Sequence, residues 1–104
     1  MTQAELSICI LSWNTLDLTR DCLMSLFADP GSTHWQIVVV DNNSSDASAD
    51  MVAEEFPKAL LIRSAENLGF AGGNNLAISR SLGNHVLLLN SDTQVPAGSL
   101  GRLL

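Results

Sequence analysis

The chain has 104 residues, of which 46% are hydrophobic, 15% charged and 5% aromatic, and 5 basic residues against 11 acidic ones give a net charge of −6. That length makes one small domain, and so high an apolar content with few charges excludes intrinsic disorder. No apolar run approaches the roughly 18 residues of a membrane span, and so acidic a chain offers no basic stripe to neutralise a nucleic-acid backbone.

In chain order, residues 6–11 (LSICIL) and 35–40 (WQIVVV) are short apolar runs, followed by two more at 59–62 and 86–89. Near-continuous apolar runs, in place of alternation, predict strands covered on both faces and so a parallel sheet with crossover helices. Between the first two runs, Leu16, Leu23, Leu26 and Phe27 share one helical face, and Asp29-Pro30-Gly31 ends the segment. Ser44, Ser45 and Asp46 offer N-caps to a second helix through Glu55, closed before Pro57. Ala71, Asn75, Ile78 and Leu82 are spaced as the buried stripe of a third helix, with Gly83 as its stop. The order βαβαβαβ predicts a doubly wound, Rossmann-like α/β fold: one parallel sheet of four strands in the order 3-2-1-4, right-handed crossovers, and helices on both faces. A short helix over 97–104 would follow, and its apolar end predicts that the polypeptide is the N-terminal part of something longer.

In an open parallel sheet, ligands bind beyond the carboxyl ends of the strands, where strand order reverses. The segments to read are therefore 12–14 (Ser-Trp-Asn), 41–44 (Asp-Asn-Asn-Ser), 64–70 and 90–92 (Asn-Ser-Asp), each polar where its strand is apolar. The first strand-to-helix turn has no glycine, which excludes a G-x-G-x-x-G dinucleotide site. No G-x-x-x-x-G-K-[ST] surrounds the single lysine, Lys58, which excludes a Walker-type ATPase. Ser12 stands outside any G-x-S-x-G elbow, and His34 and His85 belong to no recognisable triad and fall near strand starts, on the opposite edge. Cys9 and Cys22 lack the C-x₂₋₄-C spacing of a zinc site and read as buried free thiols of a reducing cytosol.

What remains on the predicted edge is Asp41 and Asp92, each at the end of a strand. In the order 3-2-1-4 their strands flank the first, about 10 Å apart, too far for one metal to be ligated by both. Different parts of one extended ligand could reach them: Asp41 a base N–H, Asp92 a cation that neutralises a diphosphate. The spacing does not place Arg63 or Arg80 on this edge. Each neighbour has a structural reading as well. Asp46 is a helix cap, Trp13 is either core or a ring for a ligand, and Gly69, Gly72 and Gly73 either form a turn or let backbone approach a ligand. Asn75, inside the apolar stripe, needs partners for its amide and is expected to pin the 67–69 loop, the alternative being direct contact with the donor.

Residues 7–14 (SICILSWN), 37–46 (IVVVDNNSSD), 67–75 (NLGFAGGNN) and 87–93 (LLLNSDT) together resemble the nucleotide-binding half of the family-2 inverting glycosyltransferases of GT-A fold, and among them the bacterial rhamnosyltransferase-like branch. The resemblance covers nearly the whole chain, with four motifs in the right order. It implies that Ser12, Trp13, Asp41 and Asn42 hold the nucleoside, that Gly69 and Asn74 also contact the nucleotide, and that Asp92 ligates a divalent metal, Mg²⁺ or Mn²⁺. Three positions depart from the family pattern: Asp41-Asn42 replaces the common Asp-Asp, only the last aspartate of the D-x-D motif survives in Asn90-Ser91-Asp92, and Ala77 stands where N-N-x-G has glycine.

The implied reaction is transfer of a sugar, with inversion, from a dTDP- or UDP-linked donor to a hydroxyl of a saccharide or lipid-linked acceptor, the metal stabilising the departing nucleoside diphosphate. The general base is expected beyond Leu104, so residues 1–104 would supply donor binding without complete catalysis. The implied location is the cytoplasm, the inner face of the membrane included, in polysaccharide biosynthesis. Two rival readings are a non-catalytic nucleotide-binding or interaction module of the same fold and a flavodoxin-like or receiver-like domain. The latter lacks support, because no acidic pair follows the first strand and no lysine is suitably placed.

Overall fold

The computed structural model describes residues 5–92. In order they form β1 (Leu6–Ser12), α1 (Leu16–Phe27), a 3₁₀ helix (Pro30–His34), β2 (Trp35–Asp41), α2 (Ser48–Glu55), β3 (Leu60–Arg63), α3 (Gly69–Ser79) and β4 (His85–Asn90). The strands make one four-stranded sheet in the order β3-β2-β1-β4, every neighbouring pair parallel. This is the predicted order. The short helix expected over 97–104 lies outside the described residues.

Alternation along the inner strands assigns the two faces. Leu6, Ile8 and Ile10 of β1 and Ile37 and Val39 of β2 pack with Cys22, Leu23 and Leu26 of α1 and Met51 and Val52 of α2. Cys9, Val38 and Val40 point the other way, with Ala77 of α3. Helices therefore cover both faces, as a crossover sheet requires. Asp29 caps the 3₁₀ helix by accepting from the Gly31 N–H at 2.8 Å, so the chain turns at the predicted Asp-Pro-Gly. Helix α2 starts later than the Ser44–Asp46 caps suggested, at Ser48, whose backbone N–H donates to Asp46 Oδ1 at 2.9 Å. It ends at Glu55, ahead of Pro57.

Helix α3 differs from expectation. The stripe Ala71, Asn75, Ile78, Leu82 is exposed, and the buried face is Gly73, Asn74 and Ala77. The cause is close approach: a Cβ on Gly73 would come within 2.4 Å of Leu11 Cδ1, so the helix meets the sheet through its smallest residues. Larger apolar side chains turn outward, leaving Phe70 68% and Ile78 42% exposed. Strand β4 is not the buried strand its apolar run suggested. Leu87 and Leu89 pack onto the α1 and α2 side, while α3 lies over β1 and β2, and Val86 and Leu88 stay half exposed.

Both cysteines are buried free thiols, as expected. Burial, and then the negative charge of Asp92, push Cys22 up to about 11. His34 and His85 stand at the starts of β2 and β4, on the amino edge. There Gly83 seals the turn into β4: its N–H donates to Ser7 Oγ at 2.8 Å, Ser7 Oγ donates to Gln36 Oε1 at 2.8 Å, and the Leu82 N–H donates to the same Gln36 oxygen at 2.7 Å. A Cβ at Gly83 would lie 2.5 Å from the Ser7 nitrogen and 2.7 Å from the Leu6 carbonyl carbon, main-chain atoms of the central strand that have nowhere to go. Gly83→Ala should therefore destabilise the fold by about 1–3 kcal/mol, read as a lower urea midpoint. A shift equivalent to less than about 0.5 kcal/mol, the range of neutral surface changes, would contradict this packing.

Candidate functional site

Parallel strands place all their carboxyl ends on one edge, and the loops leaving that edge carry the polar residues singled out above. The first loop leaves β1. Ser12 is buried, and its hydroxyl bonds that of Thr19 at 2.9 Å, so its side chain faces α1. Thr15 extends this hydroxyl group to Thr19 at 3.0 Å and to Ser91 at 3.2 Å, joining the first loop to the segment after β4. Trp13 is 53% exposed and is therefore not core.

Asp41 ends β2 with its carboxylate buried and held by one residue: Ser44 donates its N–H to Oδ2 at 3.0 Å and its hydroxyl to Oδ1 at 2.7 Å. The two oxygens keep further lone pairs for an external donor. Asp46 is not the N-cap of α2, which is Ala47; one residue earlier, its carboxylate accepts from the Ser48 N–H at 2.9 Å and from the Leu16 N–H of α1 at 3.3 Å. The Ser48 hydroxyl is the largest influence on its carboxyl and, with lesser help from the Ser48 and Leu16 N–H groups, lowers its pKa below the ordinary range against the opposing effect of burial.

The pin on the 67–69 loop is Asn42, not Asn75, which is exposed. Asn42 Nδ2 donates to Asn67 Oδ1 at 3.1 Å and to the Gly69 carbonyl at 3.2 Å, and Asn42 Oδ1 accepts from the Leu68 N–H at 2.8 Å. Its own N–H donates to the Ser12 carbonyl at 2.8 Å, tying β1, β2 and the entrance to α3 at one point. Gly69 opens α3 at φ 74°, a left-handed conformation that suits glycine. No sequence pattern singled out Asn67, although an amide two residues before a glycine is a turn signal.

Asp92 is exposed and stands two residues beyond β4, on the rim of a cleft of about 340 Å³ whose lining includes Leu11, Thr15, Leu18, Phe70, Asn74, Asn90 and Ser91. Asn74, buried against the sheet, thus meets Asp92 across one cavity. Among the described residues no three His, Cys, Asp or Glu side chains converge as a metal cage. One carboxylate with neutral amide and hydroxyl oxygens fits instead a hard cation that keeps waters and takes phosphate oxygens as ligands. Asp41 and Asp92 leave strands on either side of β1, two strand spacings or about 10 Å apart. Arg63 is on this edge after all: it ends β3 opposite Asp41 and pairs with Asp50 at 2.9 Å. Arg80 follows α3, and its carbonyl accepts from Gln36 near the start of β2, on the amino edge. A larger cleft of about 750 Å³, walled by Phe27, Trp35 and Phe56, lies at that amino edge, away from both aspartates.

A domain whose parallel sheet gathers these loops on one edge is an open α/β sheet of the class that binds ligands beyond the carboxyl ends of its strands. The glycosyl transferase family 2 model matches residues 7–104, and the chain belongs to that family. It is 30% identical over 89 residues to the "Putative teichuronic acid biosynthesis glycosyltransferase TuaG" of Bacillus subtilis (strain 168), a match covering 83% of this chain and 35% of that protein. Among solved structures it superposes on S. aureus TarS in complex with UDP-GlcNAc with a TM-score of 0.84 at 25% identity, covering 95% of this chain and 30% of that one. It also superposes on the mannosyltransferase PcManGT from Pyrobaculum calidifontis in complex with GDP-Man and Mn²⁺, with a TM-score of 0.81 at 25% identity over 93% of this chain and 30% of that one. The fold is therefore that of the GT-A glycosyltransferases, and the chain spans about a third of the length of each of these relatives.

Truncating Asn42 strands the Leu68 N–H and the Gly69 carbonyl together. Asn42→Ala should cost about 1–3 kcal/mol and speed amide exchange at Leu68 more than at Ile8 in the sheet centre. Equal acceleration at both amides would contradict the assignment of Asn42 as a local pin.

Proposed function

We propose that this chain is the donor-binding part of a family-2 glycosyltransferase, acting on a nucleoside-diphosphate sugar, UDP- or dTDP-linked, and transferring the sugar with inversion to a hydroxyl of a saccharide or lipid-linked acceptor in polysaccharide synthesis on the cytoplasmic side. The observation that carries the reading is that Asp41, at the end of β2, and Asp92, two residues past β4, stand at one sheet edge, on strands that flank β1 and are themselves about 10 Å apart. A base at the first and a diphosphate at the second span that distance. The names of the relatives, which include a UDP-GlcNAc complex and a GDP-Man complex with Mn²⁺, support the donor class.

In this reading Asp41 accepts a base N–H with the lone pairs Ser44 leaves free, and the exposed indole of Trp13 stacks on the base ring. Ser12 and Asn42 serve through the backbone and loop they hold, and Gly69 and Asn74 border the path from nucleoside to diphosphate. Asp92 would hold Mg²⁺ or Mn²⁺, with the Asn90 and Ser91 oxygens beside it. When bound, the ion supplies Lewis-acid stabilisation of the nucleoside diphosphate as it leaves. Attack by an acceptor hydroxyl needs a general base, usually a carboxylate, and we assign it, with the acceptor side, to residues outside 5–92.

Calorimetric titration with UDP, dTDP and GDP, with and without Mn²⁺, tests the two roles separately. Asp92→Asn should abolish the Mn²⁺-dependent gain in diphosphate affinity and leave free-nucleoside binding nearly unchanged, whereas Asp41→Asn should weaken nucleoside binding and spare the metal dependence. Retention of the full metal dependence by Asp92→Asn would contradict the assignment.

A further inference from the structure

Asn14 has no place in the reading above, yet it makes more bonds between loops than any residue on the carboxyl edge except Asn42. It sits at φ 52°, in the left-handed region that asparagine tolerates better than most residues. From there its side chain reaches across to the loop after β2: Oδ1 accepts from the Ser45 N–H at 2.7 Å, the Ser45 hydroxyl at 3.2 Å and the Asp46 N–H at 3.4 Å. Its backbone N–H donates to Ser44 Oγ at 2.9 Å. That hydroxyl is the one that donates to Asp41 Oδ1 at 2.7 Å, so the bonds run Asn14 to Ser44 to Asp41. Asp46 returns the contact by accepting from the Leu16 N–H at 3.3 Å, at the first turn of α1.

We infer that Asn14 is a positioning residue: by clasping 44–46 and setting the direction of the Ser44 hydroxyl, it holds the Asp41 carboxylate in the single orientation that a nucleoside meets. The inference rests on the donor-binding reading for its purpose, and on bond geometry alone for its existence. The physical reason is directional. A hydroxyl has one proton, and with the Asn14 N–H occupying a lone pair of Ser44 Oγ, that proton is left to point at Asp41. Chains of this kind polarise each other, so loss of the first bond weakens the second. The same residue fixes the backbone one position after Trp13, so the indole and the carboxylate leave two loops that move as one body.

Asn14→Gly is the informative variant, because glycine keeps the left-handed backbone and its N–H and removes only the amide that holds Ser45 and Asp46, so the loop carrying Ser44 is no longer kept against that N–H. Asp41 should show a single side-chain rotamer in three-bond couplings of the wild-type chain and an averaged one in Asn14→Gly. Uridine should bind roughly tenfold more weakly, as loss of a charge-assisted bond implies, while Mn²⁺-dependent binding of pyrophosphate, which belongs to Asp92, should not change. Because the clasp acts through Ser44, the double variant Asn14→Gly with Ser44→Ala should bind uridine no more weakly than the weaker single variant. Asn14→Asp, which keeps the acceptor oxygen, should recover most of the loss; if the glycine variant does not fold, Ser44→Ala, which cuts the link to Asp41 at its last bond, should average the Asp41 rotamer and weaken uridine alike. An unchanged Asp41 rotamer, equal losses for uridine and pyrophosphate, or losses that multiply in the double variant would each overturn the inference. A wild-type chain that binds no uridine, with Asp41 still loosened by Asn14→Gly, would instead overturn the donor-binding reading and leave the clasp standing.

Discussion

Strand β1 is buried on both faces and hydrogen-bonded in parallel register on both sides, residue for residue from Leu6 opposite Trp35 and His85. A strand so placed cannot slip, because a shift of one residue would turn Ile8 and Ile10 toward α3 and Cys9 toward α1. Everything at the carboxyl edge depends on that register. It brings Ser12 level with Asp41 and Leu11 level with Asn90, so the loops that follow start from fixed and neighbouring points.

From that edge outward, the polar groups are organised mainly by neutral amides and hydroxyls. Asn14 and Asn42 each tie two loops together, and Ser12, Thr15 and Thr19 link β1 to α1 and, through Ser91, to the segment after β4. Among the ion pairs of the described residues, Arg20 with Asp17 and Glu55 and Arg63 with Asp50 are on the surface and contribute little. A frame of neutral donors suits a site for a charged ligand, since it holds Asp41 without neutralising it. In a chain of net charge −6, a bound diphosphate would add to the negative field, which is the physical reason for placing a divalent cation at Asp92.

The strands were legible because buried apolar runs of this length leave few alternatives, and the order 3-2-1-4 followed from right-handed crossovers. The edge residues Asp41 and Asp92 were legible as polar breaks at strand ends. The buried face of α3 was not, because glycine and alanine give no hydrophobic signal: Gly73 and Ala77 pack by proximity, and the larger Ile78 misled the pattern by pointing outward. The same helix lies over β1 and β2, which is why an apolar run in β4 did not mean full burial. The pin on the 67–69 loop went to the wrong asparagine, since Asn42 and Asn67 are 25 residues apart and only the folded sheet brings them within 3.1 Å. Arg63 was hidden for a like reason: its place opposite Asp41 is a matter of register between β2 and β3.

The central claim is that ligand chemistry belongs to the carboxyl edge and not to the larger aromatic cleft at the amino edge. Amide chemical-shift mapping of the 104-residue chain titrated with UDP and Mg²⁺ tests it most directly. The account predicts shifts concentrated at residues 12–15, 41–46, 67–74 and 90–92, with Phe27, Trp35 and Phe56 silent. Shifts concentrated at Phe27, Trp35, Phe56 and Lys58, with Asp41 and Asp92 unmoved, would contradict it.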